Sequence, residues 1–179
     1  MKELILGGAR SGKSAMAMQK AFASNKEVIF IATATAHDEE MAARIAHHQA
    51  DRPSHWQLVE EAHALAASLQ QHAARDRCLL VDCLTLWLSN LLDSDPVNEQ
   101  GFRHEHDALL EILPTLPGHI ILVSNEIGMG IVPMGQLSRR FCDEAGRLHQ
   151  QLASLCDRVT LSIAGLPHIL KDQPEMHGQ

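Results

Sequence analysis

The sequence feature that most constrains the fold is a glycine-rich stretch near the amino terminus. Residues 7–14 read GGARSGKS, which fits the spacing GxxxxGKS. The apolar residues 4–6 precede this stretch, and a helical pattern begins near Ala15. Strand, glycine-rich turn and helix are the setting that a phosphate-binding P-loop requires, and a chance match rarely has both flanking elements. We therefore expect the chain to bind a nucleoside triphosphate.

Each position of the stretch has a predicted part in holding a triphosphate. Gly7 and Gly12 let the backbone turn tightly, so that successive N–H groups face phosphate oxygens. The following helix adds the positive end of its dipole. Lys13 is placed to reach the β- and γ-phosphates, and the Ser14 hydroxyl to ligate Mg²⁺. The whole stretch is thus a candidate nucleotide site: Gly7, Gly8, Ala9, Arg10, Ser11, Gly12, Lys13 and Ser14.

Length and charge narrow the class of protein. A chain of 179 residues is long enough to bury a full hydrophobic core. We expect a single domain over residues 1–179, with a frayed tail from about residue 171. The formal net charge is −7. This acidic balance, without a basic run, argues against nucleic acid as the main partner.

The lengths of the apolar runs and the spacing of the cysteines favour a cytoplasmic location for the protein. No apolar run approaches the roughly 18 residues that span a bilayer, and the amino terminus leads into the first predicted strand without a signal-peptide pattern. The four cysteines show no CxxC spacing, so they indicate neither a zinc site nor a redox pair. We therefore expect a cytoplasmic protein with reduced thiols.

Strand and helix patterns alternate along the chain. Nearly continuous apolar runs at 27–32 and 78–81 are typical of strands buried on both faces of a sheet. Other strands are predicted at 56–60, 119–123 and finally 158–163. Helices are predicted at 15–24, 38–50, 62–74, 84–92, 102–113 and 136–156, the last interrupted at Gly146, and an irregular loop at 127–133. This alternation predicts a doubly wound, mostly parallel α/β sheet flanked by helices.

Small, polar or acidic residues end several predicted strands, where ligands bind in open α/β sheets. Thr33 to Thr35 follow the strand at 27–32. Asp82 is a candidate to hold Mg²⁺ or orient its water shell, or alternatively an N-cap for the next helix. Glu60 either accepts hydrogen bonds from a ribose or base or is a surface acid. Glu126 is either a base or metal partner or part of the turn that follows.

A histidine pair on the predicted helix at 38–50 is the next candidate. Arg44 lies one turn before His48, and Arg52 one turn after it if the helix extends that far. Cationic neighbours favour the neutral imidazole, whose lone pair is then free, and they neutralise arriving phosphate oxygens. Such a histidine is suited to attack a phosphoryl group and form an N–P bond. The alternative, a packed or exposed helical histidine, stays open on these residues alone.

We expect no functional role for His104, His106 and the two tryptophans. His104 and His106 do not face one another on a helix, so we interpret them as part of a solvated helix face. Trp56 and Trp87 are interpreted as packing residues. Neither histidine pair has the spacing of a metal site.

Taken together, several stretches resemble one family. They are the P-loop, the spacing HxxxRP at 48–53 within residues 44–56, VDCLTLWLSN at 81–90, NEIGMGIVP within residues 124–133, and residues 141–150. In this order and spacing the chain resembles the bifunctional adenosylcobinamide kinase / adenosylcobinamide-phosphate guanylyltransferases of cobalamin synthesis. The resemblance covers nearly the whole chain, and the NEIGMGIVP and HxxxRP stretches are much more specific than the P-loop.

The resemblance implies two reactions. A hydroxyl of adenosylcobinamide first takes the γ-phosphoryl group of ATP or GTP. GTP then gives its GMP to a histidine, releasing pyrophosphate, and the GMP passes to adenosylcobinamide-phosphate to form adenosylcobinamide-GDP. The family's guanylylated histidine lies four residues before an Arg-Pro pair, which is His48 here, with His47 as a secondary candidate.

The resemblance also implies nucleotide contacts and an assembly. Matching positions outside the P-loop are Ala32, Thr33, Ala34, Gln49, Ala50, Asp51, Arg52, Glu60 and Asp82. It implies a RecA-like sheet, Mg²⁺ at Ser14 and Asp82, and a homotrimer with sites near the subunit interfaces. One residue departs from the pattern: His149 stands in Gly146-Arg-Leu-His-Gln150 where an asparagine is expected.

Three other functions compete with this one. A single-function P-loop kinase for a small molecule would use His48 only as a phosphate contact. A non-enzymatic GTP or metal switch would need metal-spaced histidines. A RecA-like DNA-dependent ATPase is disfavoured by the acidic charge. For the two reactions themselves, the γ-phosphate must face the acceptor in one and the α-phosphate must face His48 in the other, which requires two nucleotide poses or a moving helix.

Overall fold

A computed structural model describes residues 1–35, 53–93 and 99–173 of the chain. Within these ranges, a sheet of seven strands has the order β3-β2-β4-β5-β1-β6-β7. Neighbouring strands are parallel except β6 and β7, which are antiparallel. The strands are β1 (Lys2–Gly7), β2 (Glu27–Ala32), β3 (Gln57–Glu60), β4 (Arg77–Asp82), β5 (His119–Asn125), β6 (Arg158–Ile163) and β7 (Leu166–Asp172). The predicted doubly wound, mostly parallel sheet is confirmed.

Helices cover both faces of this sheet. Side chains alternate along β1, so that Leu4 and Leu6 join one hydrophobic cluster and Ile5 joins the other. The helix after β1 contributes Ala17 and Ala21 to the cluster around Ile5, whereas the other described helices pack into the larger cluster. The helices are α1 (Lys13–Ala23), α2 (Leu65–His72), α3 (Leu84–Asp93), α4 (Glu99–Ile112) and α5 (Gln136–Leu155), with a 3-10 turn at Leu113–Thr115.

Several sequence-based elements are confirmed. The strand at 27–32 coincides with β2, and the helix at 84–92 corresponds to α3, in which Trp87 is fully buried. Trp56 is also buried, in agreement with a packing role. The loop at 127–133 is irregular, as expected. The predicted helix at 38–50 lies outside the described residues.

Three expectations are wrong. Residues 158–163 are not the final strand, because β7 follows and includes Lys171 and Asp172, where the sequence predicts a frayed tail. Helix α5 continues through Gly146 without a break. The face of α4 that carries His106 is not solvated, since Phe102, His106 and Leu109 are buried there. These residues at i, i+4 and i+7 form the apolar stripe that holds α4 against the core.

The amino-terminal end of the sheet contains a buried ion cluster. Glu3 is 2% exposed and accepts hydrogen bonds from Lys20 Nζ at 2.7 Å and from His119 Nε2 at 2.9 Å. Burial alone would raise the pKa of Glu3, but these two hydrogen bonds and the neighbouring charges outweigh it and hold the pKa at about 2. This cluster lies at the edge of the sheet opposite the P-loop, so it concerns stability.

We expect Glu3→Gln to lower the free energy of unfolding by about 1–3 kcal/mol, because it removes a buried carboxylate that accepts hydrogen bonds from Lys20 and His119. The folded-state pKa lies below the ordinary 4.5, so the stabilisation is present above pH 4.5 and lost as the pH falls toward 2. Urea unfolding at pH 7 and at several pH values below 4.5 measures both effects. The control is Glu27→Gln, which removes only a surface pair with Arg77 and should cost less than about 1 kcal/mol. Equal losses for the two variants would contradict this account.

Candidate nucleotide-binding site

The stretch at 7–14 forms the turn between β1 and α1, as predicted. Gly12 has φ +90° and Arg10 has φ +55°, so the backbone turns through left-handed conformations. Ser11 N donates to Gly8 O at 3.3 Å inside the turn. Lys13 is 9% exposed and its Nζ donates to Gly8 O at 3.1 Å, so the ammonium lies over the loop. The backbone and the lysine thus form a P-loop.

The β6–β7 hairpin supports this loop from behind. Ser11 O accepts two hydrogen bonds, from Gly165 N at 2.8 Å and from Ser162 Oγ at 2.8 Å. A Cβ on Gly7 would lie 2.7 Å from Ser162 O, and a Cβ on Gly12 would lie 2.9 Å from Gly165 Cα. Two of the loop's glycines are therefore required by the close approach of a hairpin about 150 residues further along the chain.

Gly12→Ala should lower the free energy of unfolding by about 1–3 kcal/mol, because it forces a side chain into a left-handed conformation and against Gly165. We expect weaker binding of ATP and GTP as the loop shifts. The matched control is Gly8→Ala, whose Cβ would meet no atom within 4 Å and which should leave stability unchanged. Thermal unfolding and calorimetric titration with nucleotide measure the two effects. Equal stability of the two variants would show that the hairpin does not constrain the loop.

Ala32, Glu60 and Asp82 lie at the carboxyl ends of neighbouring strands. Ala32 pairs in register with Asp82 on one side and with Glu60 on the other. Glu60 is exposed, whereas Glu61 accepts hydrogen bonds from His63 N and Ala64 N ahead of α2. Glu61 therefore shapes the turn ahead of α2. Glu60 faces solvent at the carboxyl edge of the sheet, which is where ligands bind in open α/β sheets.

Thr33 is fully buried and its hydroxyl has a structural task. Its Oγ1 donates to Cys83 O at 2.6 Å and accepts from Cys83 N at 2.9 Å. Asn90 Nδ2 donates to Thr33 O at 2.8 Å and to Ala62 O at 3.1 Å. The hydroxyl and the amide thus tie the ends of β2 and β4 to α3. Sequence reasoning did not single out Asn90, although it lies in the quoted stretch at 81–90.

The P-loop strand and the strand of Asp82 are separated by β5. Gly7 pairs in register with Asn125, and Asp82 pairs with Val123. Strands in a sheet lie about 4.8 Å apart, which places Asp82 about 10 Å across the edge from Gly7. The hydroxyl of Ser14 and the carboxylate of Asp82 are hard oxygen donors at one edge of the sheet, a donor set that fits Mg²⁺.

A buried polar cluster lies where β5 ends beside α5. His149 Nε2 is 2.8 Å from Ser124 Oγ, and His149 Nδ1 is 3.8 Å from Glu126 Oε2. Burial lowers the pKa of His149, and the charge of Glu126 opposes this only in part. Thr85 Oγ1 lies 3.3 Å from Ser124 Oγ. The residue that departs from the family pattern therefore contacts the end of a strand next to the P-loop.

Three of the cysteines are buried thiols, and the described carboxylates form no metal-binding group with them. Burial raises the pKa of Cys78 and Cys83 to about 11 and that of Cys156 to about 12, so these thiols are protonated at neutral pH. In the parts of the chain that the structure describes, no group of three or more histidines, cysteines and acids is arranged to hold a metal ion. In the same parts, no helix combines the length and apolar character needed to cross a membrane.

The predicted histidine centre is not tested by these contacts. His48 lies outside the described residues, as do His47, Arg44 and the candidate nucleotide contacts that follow: Gln49, Ala50, Asp51 and Arg52. Within the described ranges, the structure brings together the P-loop, Ala32, Thr33, Ala34, Glu60 and Asp82 along one edge of the sheet.

The sheet order and the glycine-rich loop together define a P-loop protein with a RecA-like fold. The RadB recombinase is similar in structure, with a TM-score of 0.51 and 16% identity over 89% of this chain and 73% of that chain. A second solved structure, an ATPase domain, is similar at a TM-score of 0.52 and 15% identity, covering 89% of this chain and 68% of that one. At these identities the likeness shows the fold alone.

A family model described as cobinamide kinase / cobinamide phosphate guanyltransferase matches residues 3–170. The bifunctional adenosylcobalamin biosynthesis protein CobP of Pseudomonas aeruginosa is 59% identical over 174 residues, covering 97% of this chain and 99% of the relative. The protein CobU of Escherichia coli K12 is 39% identical over 177 residues, covering 93% and 97%. The chain belongs to this family, and the resemblance found in the sequence is confirmed.

Proposed function

We propose that this chain phosphorylates adenosylcobinamide with ATP or GTP and then transfers GMP from GTP to the resulting phosphate. The products are adenosylcobinamide-GDP and pyrophosphate. The observation that carries this proposal is the match of one family model, which describes both activities, to residues 3–170. The P-loop supports it independently, because both reactions begin with a nucleoside triphosphate.

In the phosphoryl transfer, positioning and charge neutralisation supply most of the catalysis. Backbone N–H groups of the loop and Lys13 hold the β- and γ-phosphates, which leaves the γ-phosphorus facing the acceptor hydroxyl. Mg²⁺, held by Ser14 and Asp82, would neutralise charge on the same phosphates. The P-loop lysine and these oxygen donors lie at the carboxyl edge where β1, β5 and β4 end, which favours this arrangement.

In the guanylyl transfer, we propose His48 as the nucleophile. A ring nitrogen of His48 attacks the α-phosphorus of GTP; an N–P bond forms while the bond to pyrophosphate breaks. An oxygen of adenosylcobinamide-phosphate then attacks the same phosphorus, and the N–P bond breaks. The residues proposed to hold this nucleotide are Ala32, Ala34, Gln49, Ala50, Asp51, Arg52 and Glu60. Thr33, which is fully buried, is proposed instead to fix the strand ends that carry them.

We further infer a single domain that works in the cytoplasm as a homo-oligomer, with a trimer as the expected form. Ile163, Leu166, Ile169 and Leu170 on the β6–β7 hairpin are 54–70% exposed, and this concentration of apolar surface supports association of subunits. The net charge of −7 argues against a nucleic acid partner.

Product analysis tests the proposal. The purified chain is incubated with adenosylcobinamide, Mg²⁺ and either ATP or GTP, and the corrinoids are separated by chromatography. We expect adenosylcobinamide-phosphate with either nucleotide, and adenosylcobinamide-GDP with pyrophosphate only when GTP is present. Phosphate ester without the GDP product would favour a single-function kinase. Bound metal in stoichiometric amount without corrinoid turnover would favour a switch protein, and DNA-stimulated hydrolysis would favour a DNA-dependent ATPase.

A further inference from the structure

We propose that Glu126 is the general base of the phosphoryl transfer and that His149 positions its carboxylate. This inference rests on the proposed function, because it assigns residues to one of the two reactions. It concerns a side chain at the end of β5, outside the P-loop and outside the histidine centre.

Glu126 is held directly beside the P-loop. It follows the last residue of β5, and its backbone N–H donates to Gly7 O at 3.0 Å. Since β5 lies between the strand of Gly7 and the strand of Asp82, Glu126 lies between the phosphate-binding turn and the proposed metal-binding acid. An acceptor hydroxyl approaching the γ-phosphate has to enter at this edge of the sheet.

The two carboxylate oxygens of Glu126 have different surroundings. Oε1 accepts a hydrogen bond from Gly128 N at 2.6 Å, which shapes the turn after β5. Oε2 lies 3.8 Å from His149 Nδ1, a distance too long for a hydrogen bond. The side chain is 20% exposed. One oxygen therefore shapes the turn, and the other faces the ring of His149 without a hydrogen bond to it.

A line of hydrogen bonds fixes the ring of His149. Asn125 N donates to Thr85 Oγ1 at 2.7 Å, and Thr85 Oγ1 lies 3.3 Å from Ser124 Oγ. Ser124 Oγ in turn lies 2.8 Å from His149 Nε2. When Thr85 Oγ1 donates to Ser124 Oγ and Ser124 Oγ donates to His149, Nε2 is the acceptor. The ring proton is then on Nδ1, facing Glu126. The Nδ1–H group then attracts Oε2 and limits the rotation of the carboxylate.

In the proposed step, Glu126 takes the proton that the acceptor hydroxyl loses. The acceptor oxygen forms a bond to the γ-phosphorus, and the bond from that phosphorus to the bridging oxygen breaks with its electron pair on the nucleoside diphosphate. The hydroxyl proton passes to Oε2 of Glu126 and later to solvent. A positioned carboxylate in this role contributes typically about 10²- to 10⁴-fold to the rate.

Glu126→Gln separates this role from a purely structural one. Glutamine keeps an oxygen for Gly128 N but does not accept the proton. We expect kcat for phosphoryl transfer to fall about 10²- to 10⁴-fold with little change in KM for adenosylcobinamide. Labelling of the protein by GTP carrying a labelled α-phosphate should be retained, because that step does not use the acceptor hydroxyl. The matched control is Glu144→Gln on α5, whose carboxylate pairs with Arg147 and which should leave both reactions unchanged.

His149 is tested by a pair of variants. His149→Leu should lower kcat for phosphoryl transfer about tenfold to 10²-fold with KM unchanged, since a misplaced catalytic group loses rate without losing binding. His149→Asn should recover most of this loss, because its amide N–H replaces Nδ1–H. Equal loss in both variants, or a parallel rise in KM, would overturn the positioning role.

Two results for Glu126→Gln would contradict its role as the general base. A Glu126→Gln enzyme within about threefold of the parent in kcat, far short of the loss expected for a general base, would overturn the assignment. So would an equal loss of protein labelling, which would mean that Glu126 serves nucleotide binding. A parent enzyme that makes no adenosylcobinamide-phosphate would overturn the proposed function together with this inference, whereas failure of the Glu126 variant alone leaves the proposed function intact.

Discussion

Replacing Lys13 by alanine should abolish both reactions in practice, lowering kcat/KM for ATP and for GTP by about 10²- to 10³-fold or more. The ammonium of Lys13 lies over the P-loop, where Nζ donates to Gly8 O at 3.1 Å. A positive charge fixed beside the β- and γ-phosphates stabilises the charge that develops there, and an alanine leaves that charge uncompensated. Initial rates of corrinoid phosphorylation and of protein guanylylation measure the two losses.

The control for Lys13 is Lys26, which lies beyond the other end of α1. Its Nζ donates to Arg75 O at 2.5 Å, remote from the P-loop. Lys26→Ala should keep both activities, so that a loss confined to Lys13→Ala reports on the phosphate site. Thermal unfolding of both variants shows whether the fold is kept. If Lys13→Ala retained more than about a tenth of the parent activity, the loop would not be the phosphate site of either reaction.

The second large effect is expected at His48. His48→Ala should lower the rate of guanylyl transfer by a factor on the order of 10⁶, as removal of other catalytic nucleophiles does. The variant has no imidazole nitrogen at this position to form the N–P bond. Phosphorylation of adenosylcobinamide should continue, since that reaction passes the γ-phosphoryl group directly to a hydroxyl. The two products, separated by chromatography in one assay, give both rates.

The neighbouring histidine is the matched control. His47→Ala keeps the adjacent imidazole and should retain guanylyl transfer. If His47→Ala lost the activity and His48→Ala kept it, the nucleophile would be His47, the secondary candidate. If both variants lost both reactions, the segment would serve the binding of nucleotide in general and the proposed division of labour would be wrong.

The parts of the fold that follow from local physics could be predicted. β2 and β4 are buried on both faces, so their sequences are continuous apolar runs with clear boundaries. The P-loop follows from glycine spacing between a strand and a helix. β7 has neither signal, because its residues are almost all exposed and it begins after a turn at Ala164 and Gly165 with φ of +53° and +78°. Left-handed turns of this kind are usually marked by asparagine or aspartate with glycine, and alanine conceals this one.

The candidate site was predictable only in part, for a related reason. Thr33 and Asp82 follow strands, so their place at the edge of the sheet could be inferred. Ser162 and Gly165 contact the P-loop from the other end of the chain, and no local pattern announces such a contact. His149 was noticed as an unusual residue, but its partner Ser124 is apparent only when α5 packs beside β5.

The central claim is that one chain carries GMP on a histidine between its two substrates. The most direct measurement is mass spectrometry of the protein after incubation with GTP and Mg²⁺ in the absence of a corrinoid. We predict a GMP adduct on His48 that is acid-labile and stable to base, and that disappears when adenosylcobinamide-phosphate is added as the GDP product forms. No adduct on the chain, or one on a residue other than the histidine pair, would contradict it.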